Sequence, residues 1–132
     1  MANKTGRKPR ITISQTDHDR ILGLADALES RDPLLAETMV AELERARVVK
    51  DSALPKTVVR MGTTLTYTAD GGEETTVTLV YPGEADIEAG RISVTTPFGT
   101  ALLGLSVGQS IDWEARNGKV HRLTVIDIRE DE

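Results

Sequence analysis

The chain has no cysteine. Disulfides, thiolate nucleophiles and thiolate metal sites are excluded, and a reducing cytoplasm is the expected compartment. Aromatic residues are nearly as scarce, with one phenylalanine, two tyrosines and one tryptophan in 132 residues. So few rings leave little with which to wall a dry aromatic pocket. No apolar run approaches the roughly 20 residues that cross a bilayer, so no membrane partner is expected. The opening MANKTGRKPR is basic but lacks the apolar core of a secretory signal. Only two histidines occur, His18 and His121, and neither has a serine–acid arrangement or metal-ligand spacing nearby. Gly99 and Gly104 belong to no phosphate-cradling loop, and there is no Walker or dinucleotide fingerprint. The expectation is a protein that is not an enzyme, with no catalytic residues, no metal and no cofactor.

Charge is present but uneven. Lys4, Arg7, Lys8 and Arg10 put +4 into the first ten residues without one acid, so a net charge of −5 leaves −9 on the remainder. A body this acidic repels phosphate, which argues against direct sequence-specific binding of nucleic acid. Residues 1–10 read as a basic, disordered tail.

Beyond the tail, Ile11-Thr12-Ile13 is a short extended piece, and Thr16-x-x-Asp19 marks a helix start. Ile21, Leu22, Leu24, Ala25 and Leu28 follow helical spacing. Ser30-Arg31-Asp32-Pro33 breaks that helix and begins another, with Asp32 as cap and Pro33 in the first turn. Leu35, Met39, Leu43 and Ala46 stripe the second arm, which runs to Lys50. Residues 11–50 thus form a short antiparallel helical hairpin, a coiled coil with arms of roughly 20 and 27 Å. Residues 51–57 are a linker. Over residues 58–132 the apolar period switches from 3.6 to 2. Strands are expected from Val58 to Thr68, from Thr75 to Tyr81, around Ile111, Trp113 and Ala115, and from Lys119 to Ile128. Asp70-Gly71-Gly72 and Asn117-Gly118 supply the turns, the latter as a two-residue hairpin. Pro97 to Leu105 suits a short helix laid over the sheet. The fold class is α+β, a helical hairpin followed by a twisted antiparallel sheet with one short helix.

The stretch from Val77 to Gly108, VTLVYPGEADIEAGRISVTTPFGTALLGLSVG, carries a specific resemblance. A strand ending Leu79-Val80-Tyr81 meets Pro82-Gly83, and an acidic loop with Glu84 and Asp86 follows. A second strand, Arg91-Ile92-Ser93-Val94, then runs into Thr96-Pro97 and Gly99-Thr100-Ala101-Leu102-Leu103-Gly104. This order resembles the C-terminal domain of the bacterial Gre transcript-cleavage factors. From Ile11 onward the chain is similar to the short-hairpin Rnk branch of that superfamily, regulators of nucleoside diphosphate kinase. Leu79-Val80-Tyr81-Pro82, Ala101 to Leu105 and Ser110-Ile111-Asp112-Trp113-Glu114 all match.

The resemblance implies an FKBP-like C-terminal domain but no prolyl isomerase, because the aromatic wall is missing and fold does not carry function. It also implies a partner. Gre C-terminal domains grip a coiled coil of the RNA polymerase β′ subunit at the rim of the secondary channel. The corresponding residues here are Ser93, Thr95, Thr96, Pro97, Phe98 and Gly99. Gre factors also use acids at the hairpin tip to assist the second catalytic Mg²⁺. The acids at this tip are Asp26, Glu29 and Asp32, on a hairpin too short to reach the polymerase active site. The implied function is a regulator that binds polymerase and competes with Gre factors without stimulating cleavage. The alternative is control of nucleoside diphosphate kinase levels through another protein partner.

Overall fold

The computed structural model describes residues 8–129. The part of the expected tail before Lys8 lies outside them. Helix α1 spans Gln15–Leu28 and α2 spans Pro33–Arg45, antiparallel and joined by a tight turn. Asp32 caps α2 as its sequence position suggests, accepting from the Leu35 N–H at 3.3 Å. The cap of α1 is different from the expected one. Ser14 takes the Asp17 N–H at 3.2 Å, while Thr16, inside the helix, donates its hydroxyl to Asp51.

The second arm is also shorter than the apolar stripe suggested, ending at Arg45 instead of Lys50. Residues Arg47–Val49 form strand β2, which runs parallel to β1 (Thr12–Ser14). Two adjacent valines at 48 and 49 fit an extended backbone better than a helix. The pairing ties the entry and exit of the hairpin together, with the Arg47 N–H on the Ile11 carbonyl at 2.9 Å.

The remainder is a five-stranded sheet built from β3 (Thr64–Ala69), β4 (Glu74–Val80), β5 (Arg91–Ser93), β6 (Ser110–Glu114) and β7 (Val120–Arg129). Its order is β5-β4-β3-β7-β6. The expected all-antiparallel sheet is corrected here, because β5 runs parallel to β4. The 3-10 turns at Pro82–Glu84 and Ile87–Ala89 carry the chain between these two strands so that it re-enters from the same end. A bulge in β7 opposite Thr66 and Tyr67 shifts the register, so that Val125 and Ile128 both serve the core side. The turn at Asn117-Gly118 has three residues rather than two. Ala115 accepts from the Gly118 N–H at 2.9 Å and donates to Lys119 at 2.8 Å, the geometry of a type I turn closed by a bulge.

Helix α3 (Pro97–Leu102) covers the sheet. A single core cluster runs from the hairpin (Ile13, Ile21, Leu35, Met39, Leu43) through α3 (Leu102) to the sheet (Leu65, Leu79, Leu123). The hairpin therefore lies on the domain instead of projecting from it. Gly104 sits at the junction: its φ is +83°, and a Cβ there would come within 2.8 Å of Ile11 Cβ. Its carbonyl accepts the Thr12 N–H at 3.2 Å, an approach of backbone to backbone that only glycine permits.

Candidate functional site

The segment Ser93–Gly99 is the turn that carries β5 into α3, and its hydroxyls are arranged to hold that turn. Ser93 Oγ accepts the Thr95 N–H at 3.0 Å and lies 2.6 Å from Thr95 Oγ1. Thr96 caps α3. Its Oγ1 accepts the Gly99 N–H at 3.0 Å and donates to the Ser93 carbonyl at 2.8 Å. Buried Thr100 closes the turn from behind by donating to the Val94 carbonyl at 2.8 Å. Pro97 occupies the first helical position, where no N–H is needed. Gly99 lies so close to the strand that a Cβ would fall 2.1 Å from the Ser93 carbonyl oxygen. The result is a rigid ledge with Thr95, Thr96, Pro97 and Phe98 half-buried along it and Ser93 and Gly99 buried beneath.

Phe98 is not isolated on the ledge. Its ring packs 5.0 Å from Tyr67 and 5.5 Å from Trp113, and Trp113 lies 5.5 Å from the His121 ring. Three of the four aromatic side chains of this chain are therefore gathered into one row with a histidine. Sequence reasoning placed Trp113 on a strand but missed the row. The available signal was the alternation that puts Trp113 and His121 on one sheet face, where they pair across β6 and β7.

The tip acids separate. Asp32 turns to Arg116 of the β6–β7 turn at 3.2 Å, while Asp26 and Glu29 stay exposed beside the outer groove of the hairpin. Among the described residues no group of three His, Cys, Asp or Glu side chains is placed to hold a metal ion. The histidines have simple partners: His18 lies 3.3 Å from Asp19, and His121 lies 2.8 Å from Asp70. Asp70 has φ +55° and also accepts the Arg122 N–H at 2.8 Å. The His121 hydrogen bond, then that N–H, hold its carboxyl below the usual range.

Two further sets of contacts fasten the hairpin, and their long-range partners were not legible from local pattern. Asp17 of α1 accepts the Tyr81 hydroxyl at 2.9 Å and the Met61 N–H at 3.2 Å. Arg20 lies over the same tyrosine ring at 4.1 Å, and burial, then the Asp17 bond, push the Tyr81 hydroxyl up. At the other end buried Glu42 is held by Lys8 at 2.9 Å and Arg45 at 2.7 Å. Arg45 also donates to the Pro9 carbonyl.

Comparison with known proteins matches the same two parts. Residues 54–130 match the family described as transcription elongation factor GreA/GreB, C-terminal, and residues 9–49 match the Rnk N-terminus. The chain is 34% identical over 122 residues to the regulator of nucleoside diphosphate kinase of Escherichia coli K12, covering 92% of this chain and 90% of that one. It is 42% identical over 96 residues to the transcription elongation factor GreA of Rhodospirillum rubrum, covering 68% of this chain and 61% of that one. Among solved structures, the prokaryotic transcription elongation factor GreA/GreB from Nitrosomonas europaea superposes with a TM-score of 0.74 at 35% identity, over 92% of this chain and 100% of that one. These relatives are named as regulators or transcription factors rather than enzymes.

Proposed function

The chain belongs to the GreA/GreB C-terminal family and carries the Rnk-type N-terminus, and from this we propose that it regulates transcription by binding RNA polymerase. The docking element is the ledge Thr95-Thr96-Pro97-Phe98, set against the β′ coiled coil at the rim of the secondary channel. The observation that carries this reading is the rigidity of the ledge. Its hydroxyls are spent on its own turn, and Pro97 fixes φ, so little ordering remains to be done on binding. What the ledge presents to a partner is shape and apolar surface, with the half-buried edge of Phe98 braced by Tyr67 and Trp113.

The hairpin suits occupancy without cleavage. Its arms are 14 and 13 residues long, about 20 Å each at 1.5 Å per residue, and they lie along the domain. Asp26 and Glu29 are thereby kept near the docking domain, with no extension to carry them toward a distant catalytic centre. Such a protein blocks the binding of Gre factors by sharing their site. A second reading, influence on nucleoside diphosphate kinase through another protein, is favoured by the name of the Escherichia coli relative.

Purified protein and core polymerase decide between them. Pro97→Ala should weaken polymerase binding by roughly tenfold for each ~1.4 kcal/mol of contact and stiffness lost. Unaltered affinity in this variant removes the ledge from the interface.

A further inference from the structure

Beside the ledge, a cavity of about 600 Å³ opens between α2 and β6. Its long walls are unlike its ends. One wall is the N-terminal half of α2, where Leu34 is 76% exposed and Glu37 stands one turn on. The other is the edge of the sheet, with Trp113, Glu114 and, from β7, Val120, which is 53% exposed. Pro97 of the ledge completes the lining. At the ends both basic side chains of the lining are already engaged, Arg116 with Asp32 at 3.2 Å and Lys8 with Glu42 at 2.9 Å.

The charge that remains is therefore one-sided. Among the described residues neither Glu37 nor Glu114 has an ion-pair partner. Two uncompensated carboxylates thus flank two exposed aliphatic side chains in one groove. Trp113 adds an indole N–H that is buried without an acceptor among the described residues. A surface of this kind favours an element that offers an aliphatic side chain with lysine or arginine next to it.

We propose that this groove seats a basic amphipathic helix of the partner, with α2 as one wall of the interface. The inference rests on the polymerase reading, in which that helix belongs to the β′ coiled coil, and it gives the short hairpin a task. Leu34 and Val120 grip the helix from two sides, Pro97 meets its end, and Glu37 and Glu114 receive its cations. Affinity then falls with added salt, since the rim charges are exposed.

A chain without cysteine allows a direct test. Leu34→Cys carrying a photo-crosslinker is mixed with purified core polymerase, beside the same label on Ile87→Cys. Ile87 is 82% exposed and flanks β5, the opposite edge of the sheet. The label at position 34 is expected to attach to the β′ subunit and the label at 87 to leave it unmodified. Leu34→Asp and Glu37→Lys are each expected to weaken binding tenfold or more with unchanged melting temperature. Equal crosslinking from 34 and 87, with Pro97→Ala still impaired, overturns the groove and leaves the ledge standing. Polymerase affinity unchanged in Leu34→Asp, Glu37→Lys and Pro97→Ala alike overturns both.

Discussion

Pro97, Gly99 and Leu103 lie within seven residues of one another and answer to different physics. Pro97 is half-buried at the first turn of α3, so Pro97→Ala should cost the fold only ~0.5–1 kcal/mol, through a more flexible unfolded chain. Leu103 is 2% exposed in the core, and Leu103→Ala should cost ~2–5 kcal/mol. Gly99→Ala drives a methyl into the Ser93 carbonyl and should destabilise by ~1–3 kcal/mol or more, as overpacking does. Urea titrations of the three variants rank them. A Pro97→Ala loss as large as that of Leu103→Ala would make the ledge scaffold alone. Asp70 adds a dependence on acid. Its carboxyl is lowered by His121 and the Arg122 N–H, so its contribution is present above the unfolded value of about 3.9 and is lost as pH falls through its lower folded value. Asp70→Asn tolerates the same positive φ. Its melting temperature should lie below that of the parent at neutral pH and converge with it below about pH 4. A gap that persists unchanged into strong acid contradicts this linkage.

At the scale of elements, the hairpin is a docked piece rather than a free arm. Glu42, with a side chain 4% exposed, holds Lys8 and Arg45. Glu42→Gln keeps the shape and removes the charge that both cations answer, and should cost ~1–3 kcal/mol. Thermal melts check it, and no change would mean the pair breaks even against its own desolvation. Asp26→Ala with Glu29→Ala should leave stability and polymerase affinity nearly intact, since both are exposed. Robust transcript cleavage by the parent, abolished in that double variant, would instead make the tip functional. The helices were readable because Ile21, Ala25, Leu35, Met39 and Leu43 repeat at turn spacing. Their ends were not. Ser14 outcompetes Thr16 as cap because Thr16 is engaged by Asp51, 35 residues away, and no local window contains that partner. The β1–β2 pairing and the parallel direction of β5 escaped for a related reason: β1 and β5 were readable as extended, but the partner of each and its direction are set by segments outside any local window.

For the whole molecule, the family was legible from Val77 to Gly108 because that stretch holds residues with tight steric duties: Pro97 at a helix start, Gly99 against Ser93, Gly104 against Ile11. What the same stretch did not reveal is that the hairpin folds down beside it, uniting both parts in one core. Asp17 on Tyr81 and Asp32 on Arg116 fasten that placement, pairs with no signature in either segment. The central claim is that this compact body occupies the Gre site on RNA polymerase. Its most direct test is a titration of the unlabelled protein into a complex of core polymerase with a fluorescent Gre factor. Complete displacement at saturation, with a midpoint that rises in Pro97→Ala, is the predicted result. Undiminished Gre signal at saturating protein contradicts it.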